Sequence, residues 1–258
     1  MILDFARVPN LEKLILKGCT KLSMIHASLG DLKHLILLDL SNCKCLESLP
    51  CEISWESLEI FILSGCSKLK KFPEIVGNMS RLLKLYLDGT AIEDLPLSME
   101  QLTGLIKLDL TNCKNLSSLP RVIYSLTSLN TLTLSGCSKL YKMQENLGNL
   151  KGLKELDMSC TGIRDLPLSM KQLTGLIKLD LTNCKNLSSF PGVICSLTSL
   201  KTLTLYGCLN LDNMPMNLGN LEGLEELDVS GIAIREPPSS IFCLKNLKVL
   251  SFQGCNGL

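Results

Sequence analysis

The chain has 258 residues, a net charge of +1, 46% hydrophobic residues and only 4% aromatic ones. That near-balance of charge excludes an electrostatic grip on nucleic acid or on an anionic membrane surface, and no apolar run reaches the length of a bilayer span. The opening MILDFARVPN reads as too short and too acidic for a secretory signal.

From the N-terminus, the pattern L-x-x-L-x-L-x-x-C/T-x-L/I starts at Leu11. It returns at Leu35, Leu58, Leu82, Leu105, Leu129, Leu153, Leu176, Leu200, Leu224 and Leu247, at intervals of 23 or 24 residues. This is the period of a leucine-rich repeat. Each unit opens with an apolar–polar alternation, as in LIKLDL at 105–110, which predicts a short strand with one buried face. The second half, such as LPLSMEQLTG at 95–104, predicts a return over the opposite side. Prolines at 50, 73, 96, 120, 167, 191, 215 and 237 disfavour continuous helix there and predict loops with short helical or 3₁₀ turns. The fold class expected is an α/β solenoid, a right-handed arc with parallel strands on its concave face. One such domain of about eleven repeats is expected over 1–258. MILDFARVPN reads as the tail of an earlier repeat, and the chain as a segment of a longer protein.

A block of three repeats is present twice. Residues 95–165 and 166–236 align without gaps with 52 identities and 19 differences in 71 positions. Seven differences fall within 135–145, among them Ser135/Tyr206, Ser138/Leu209, Tyr141/Asp212 and Glu145/Met216. Segment 138–154 holds four Lys and one Glu (+3), whereas 209–225 holds one Asp and two Glu (−3). The pattern reads as a surface diverging over a retained scaffold. Two readings stay open: neutral drift of a solvated flank, or a surface in which Asp212, Glu222 and Glu225, with Tyr206 on the adjoining concave face, discriminate partners by charge.

Eight of the thirteen cysteines share one place in the repeat: Cys19, Cys43, Cys66, Cys113, Cys137, Cys184, Cys208 and Cys255. Thr90, Thr161 and Ile232 fill it elsewhere. A small inward-facing side chain is expected at this turn, as a ladder of buried, reduced thiols and hydroxyls. No CxxC pair occurs, and His26 and His34 are the only histidines, so no metal site is expected. An odd thiol count in a periodic column also argues against a disulfide framework. Sequons at Asn78, Asn115 and Asn186 read as chance in an Asn- and Ser-rich chain. The recurring Asp39, Asp109, Asp157, Asp180 and Asp228 have the spacing of a carboxylate column; a solvated strand face balanced by Lys107 and Lys178 accounts for them without catalysis.

The segments VPNLEKLILKGCTKL (8–22), LSGCSKLKKFPEI (63–75), LYLDGTAIEDLP (85–96) and LDLTNCKNLSSLP (108–120) resemble the leucine-rich-repeat region of plant intracellular immune receptors. The class is the one with a TIR domain and a nucleotide-binding domain. The resemblance covers essentially the whole chain. It implies a non-catalytic recognition module in cytoplasm or nucleocytoplasm, which holds the receptor inactive and helps recognise a pathogen effector or guarded host protein. It also implies contact with the nucleotide-binding domain of the same receptor. No G-x-x-x-x-G-K-[ST] loop occurs, so no nucleotide cofactor is expected in this segment. A general signalling scaffold shares the fold; an extracellular receptor or inhibitor would be expected to carry a G-x-I-P motif and an asparagine ladder, and neither is present. For partner contact, the apolar strand positions Ile15, Leu37, Ile60, Ile62 and Tyr86 are the candidate face.

Overall fold

The computed structural model describes residues 4–255 and 257. The chain divides into two compact units, Met1–Leu129 and Asn130–Leu258. The first carries β1 (Lys13–Ile15), β2 (Leu37–Asp39), β3 (Glu52–Ile53), β4 (Ile60–Ile62), β5 (Glu74–Ile75), β6 (Lys84–Tyr86) and β7 (Lys107–Asp109). There β1, β2, β4, β6 and β7 pair in that order, all parallel. Their register stacks three columns. Lys13, Leu37, Ile60, Lys84 and Lys107 form the first, and Ile15, Asp39, Ile62, Tyr86 and Asp109 the third. Between them, Leu38, Phe61, Leu85 and Leu108 point inward and are wholly buried.

The second unit repeats the plan with β8 (Thr131–Thr133), β9 (Glu155–Asp157), β10 (Lys178–Asp180), β11 (Thr202–Thr204), β12 (Glu226–Asp228) and β13 (Val249–Ser251). Consecutive strands pair in parallel. The expected alternation therefore holds from β8 to β12, where the middle residue faces the core and its two neighbours face out; in β13, paired on one side only among the described residues, Leu250 is exposed. Each buried leucine contributes roughly 1.5–3 kcal/mol, and a coil realises this only against its neighbours.

On the side opposite the strands, 3₁₀ helices span Ala27–Asp31, Leu97–Gln101 and Arg121–Ser125 in the first unit. In the second they span Glu145–Asn149, Leu168–Gln172, Gly192–Ser196, Leu218–Asn220 and Ser239–Cys243. Pro96, Pro120, Pro167, Pro191 and Pro238 sit immediately before five of them, with φ between −62° and −70°. A proline there presets the entering backbone and sacrifices an N–H that has no partner inside the helix. Two coils depart from the expected turns. After Pro50 and Pro73 the chain is extended, and β3 pairs with β5 in parallel. Trp55 fills this region from within: its indole N–H donates to the Leu29 carbonyl at 2.7 Å, and its ring meets Phe61 edge-on at 5.3 Å.

The ladder is the main turn device. Each thiol from Cys43, Cys66, Cys113, Cys184, Cys208 and Cys255 donates to a carbonyl of the preceding coil, at 3.0–3.2 Å. Thr90 and Thr161 instead donate to Leu87 and Met158 of their own coil, both at 2.7 Å. Ile232 donates nothing, and the carbonyl of its coil, on Val229, is satisfied by Cys255 of the next coil. None of the thirteen cysteines is in a disulfide. Burial pushes the thiols of Cys66 and Cys208 up to about 12 and that of Cys113 to about 11, so they stand protonated. Cys19 corrects the expectation of uniform burial: it is exposed, because among the described residues only Cys43 stacks against it, on one side.

One position before the ladder, every coil turns through the left-handed region. Gly18, Gly65, Gly89, Gly136, Gly207, Gly231 and Gly254 do so, as do Asn42, Asn112, Asn183 and Cys160. Glycine and asparagine adopt this backbone readily; cysteine does not.

Candidate protein-binding faces

The strand face of the first unit carries all five apolar candidates. Leu37 neighbours Ile60 in one column, and Ile62 neighbours Tyr86 in the other, while Asp39 separates Ile15 from Ile62. The patch is less open than expected. Only Ile15, 62% exposed, stands free; Leu37, Ile60, Ile62 and Tyr86 are half-buried. Strands lie about 4.8 Å apart, so side chains in one column shade each other's flanks. Basic groups frame the patch, and the Lys107 ammonium lies 5.2 Å from the centre of the Tyr86 ring. The face is a lightly charged apolar strip suited to a complementary protein surface.

The recurring aspartates have a local task. Asp39, Asp109, Asp157, Asp180 and Asp228 each accept the backbone N–H two residues on, at 2.8–3.0 Å. Each closes the turn that ends its strand, an Asx-turn. Sequence reading saw the column but not this bond. It also missed Asp4, His26 and Ser28, which meet at the N-terminal edge. Ser28 Oγ donates to Asp4 at 2.8 Å, lies 2.9 Å from His26 Nδ1 and accepts from the Phe5 N–H at 2.9 Å. The residue types are those of a hydrolase triad, but here serine stands between the other two and is buried. The cluster fastens the segment around Phe5 to the first 3₁₀ helix.

In the second unit the charge-divergent residues part company. Tyr206 lies just beyond β11 in the turn, not on the strand face as expected, and is 47% exposed. Asp212 is exposed farther along the same return. Glu222 and Glu225 precede β12, on the entering side. Glu225 is held between Lys201 at 3.0 Å and Lys248 at 2.6 Å. The hydrogen bond from Lys248, then that from Lys201, holds its carboxyl below the usual range. Its charge is thus committed within the fold, and the four candidates do not form one site.

Among the described residues no cluster of three metal-ligating side chains occurs, and no helix is long and apolar enough to cross a membrane. Residues 53–148 match the family model described as disease resistance protein RPS4B-like, leucine-rich repeats, and 167–252 match Zer-1-like leucine-rich repeats. TMV resistance protein N of Nicotiana glutinosa is 39% identical over 177 residues. The chain is a leucine-rich-repeat protein homologous to plant disease-resistance proteins. The N alignment covers 68% of this chain and 15% of that protein. A second relative, SUPPRESSOR OF npr1-1, CONSTITUTIVE 1 of Arabidopsis thaliana, is 34% identical over 93% of this leucine-rich-repeat chain and 13% of its own length. The chain therefore spans about one-seventh of these relatives. Among solved structures, a Leptospira interrogans leucine-rich-repeat protein covers 96% of this chain and 73% of its own, with a TM-score of 0.65 at 23% identity. That likeness concerns the fold.

Proposed function

We propose that this chain is a non-catalytic recognition module of a plant intracellular immune receptor, working in cytoplasm or nucleocytoplasm. Its first unit docks the nucleotide-binding domain of the same receptor and so contributes to autoinhibition. Its second unit contributes to recognition of a pathogen effector or guarded host protein. The observation that carries the reading is the paired apolar strip, Leu37 with Ile60 and Ile62 with Tyr86, on the strand face of a chain homologous to disease-resistance proteins. The neutral, carbonyl-bonded thiols favour a reducing compartment.

The test is the double substitution I60K/I62K, with binding to the nucleotide-binding domain read by titration calorimetry. Burying two unpaired ammonium groups is expected to weaken association by at least about tenfold. Unchanged affinity in a folded variant removes this face. Reversal of the exposed Asp212 and Glu222 to Lys tests the second unit: altered effector response at unchanged thermal stability is expected, and normal signalling makes their divergence neutral drift.

A further inference from the structure

The two copies of the duplicated block share a scaffold, so a difference in what lines their turns reports on their substitutions. A groove of about 420 Å³ runs in the second unit along the turns that follow β10 to β13. Its walls are Tyr206 and Leu209, 47% and 54% exposed, and Lys185. Its floor is backbone: Gly207, Gly231 and Gly254, from three successive coils, all left-handed and all without side chains. The equivalents of Tyr206 and Leu209 in the first copy are Ser135 and Ser138, and that of Gly231 is Cys160. The adjoining groove shares Asn183 and Lys185 with this one and is otherwise lined by Ser138, Cys160, Thr161, Gly162 and Asn186, so the two differ in their apolar walls and not in their lysine. The second copy thus carries large apolar residues where the first carries serine, beside a floor of glycines with the Asn183 amide lying against Gly207. Both new side chains face solvent, where burial in this protein's own core cannot account for them.

The lining also states the occupant's charge. Lys185 is exposed, and among the described residues it has no ion-pair partner. No carboxylate lines the groove. Four coils at about 4.8 Å spacing give a length near 14 Å, room for about four extended residues. Asn183 and Gln253 contribute amides suited to a peptide backbone. We propose that this groove binds an extended acidic–aromatic polypeptide segment: an aromatic or large aliphatic side chain between Tyr206 and Leu209, with an adjacent Asp or Glu at Lys185. The inference rests on the recognition role proposed above and places part of it at the turn edge instead of the strand face.

The test uses the full ¹⁵N-labelled chain and three synthetic probes, acetyl-Gly-Glu-Phe-Glu-Gly-amide and its Lys-Phe-Lys and Glu-Gly-Glu analogues. The acidic–aromatic probe is expected to shift the amides of Gly207, Gly231 and Gly254 saturably, and the analogues to bind about tenfold more weakly or worse. Y206S/L209S installs the residues that the sister coil already tolerates, so its fold is safeguarded; it should abolish the shifts. K185E should transfer preference to the Lys-Phe-Lys probe. Equal binding of all three probes, or shifts that survive Y206S/L209S, overturn the proposal. So does concentration-dependent broadening of these glycines without probe, which would make a second copy of the chain the occupant. If the probes fail while I60K/I62K still weakens docking, the groove is lost and the wider role stands.

Discussion

Cys160 supplies a sharp energetic test, because its backbone is left-handed (φ 55°) where its two sister coils place Gly89 and Gly231. A left-handed backbone costs an L-residue about 1–2 kcal/mol. Replacing Cys160 by glycine removes that cost but frees the unfolded chain, at about 0.4–1 kcal/mol. The side chain is exposed, so little burial is lost, and the backbone bond from its N–H to the Thr182 carbonyl at 2.7 Å is untouched. C160G should therefore stabilise by about 0.5–1 kcal/mol, a rise of roughly 1–4 °C in melting temperature for a chain of this size. C160N should stabilise less, since asparagine already serves this turn at Asn42, Asn112 and Asn183. C160A keeps the Cβ and should change little. The reciprocal G89C should destabilise by a similar amount, because a Cβ at Gly89 meets only ordinary contacts of 3.5–3.6 Å with Gly65. Urea unfolding of the four variants checks the order. A C160G that is neutral or destabilised, with C160A equal to it, would falsify the strain argument.

Further outcomes concern the turns. The thiols of Cys66 and Cys208 are raised from 9.0 to about 12, so the folded chain holds their protons more tightly than the unfolded one. Their contribution is complete below pH 9 and is lost as pH rises from 9 towards 12. The urea midpoint should fall across that window, and C66T/C208T, which uses the ladder's own alternative residue, should flatten the fall; an unchanged slope refutes the assignment. In alkylation at pH 8, Cys19, Cys51, Cys160 and Cys243 should react in the native state, whereas Cys66, Cys113 and Cys208 should wait for unfolding. D180A should cost about 1 kcal/mol by freeing the Thr182 N–H, and D180N less than half of that, since its amide oxygen still accepts; equal losses would point away from the Asx-turn.

The leucine frame was legible because a repeat of 23 or 24 residues leaves the buried positions no alternative: Leu38, Leu85 and Leu108 are wholly buried as the alternation requires. The ladder was legible for the same reason, although only contact between coils shows that Cys66 reaches the Leu40 carbonyl while Thr90 turns to its own coil at Leu87. The left-handed column was written in the sequence as G-C, N-C, G-T, C-T and G-I, and went unread because its meaning lies in a dihedral angle. Trp55 gave no periodic signal at all. Its place under Phe61 depends on the extended path that β3 and β5 take, where other coils form 3₁₀ helix.

Sequence by itself determined the class of fold, the strand positions, the duplicated block and the kinship with disease-resistance proteins. The first three follow from period, composition and internal identity, whereas the kinship rests on particular segments such as LYLDGTAIEDLP at 85–96. Tertiary structure decided which side chains remain available to a partner. Glu225 looked like a free charge until Lys201 and Lys248, from the coils on either side, closed on it. Ile60 and Ile62 read as part of an apolar partner face, and the stacked coils leave them half-buried. Tyr206 and Leu209 became walls of a groove only when three glycines from successive coils formed its floor. Availability depends on what stacks beside a residue about 5 Å away, and in this chain that neighbour is 23 or 24 positions distant in sequence.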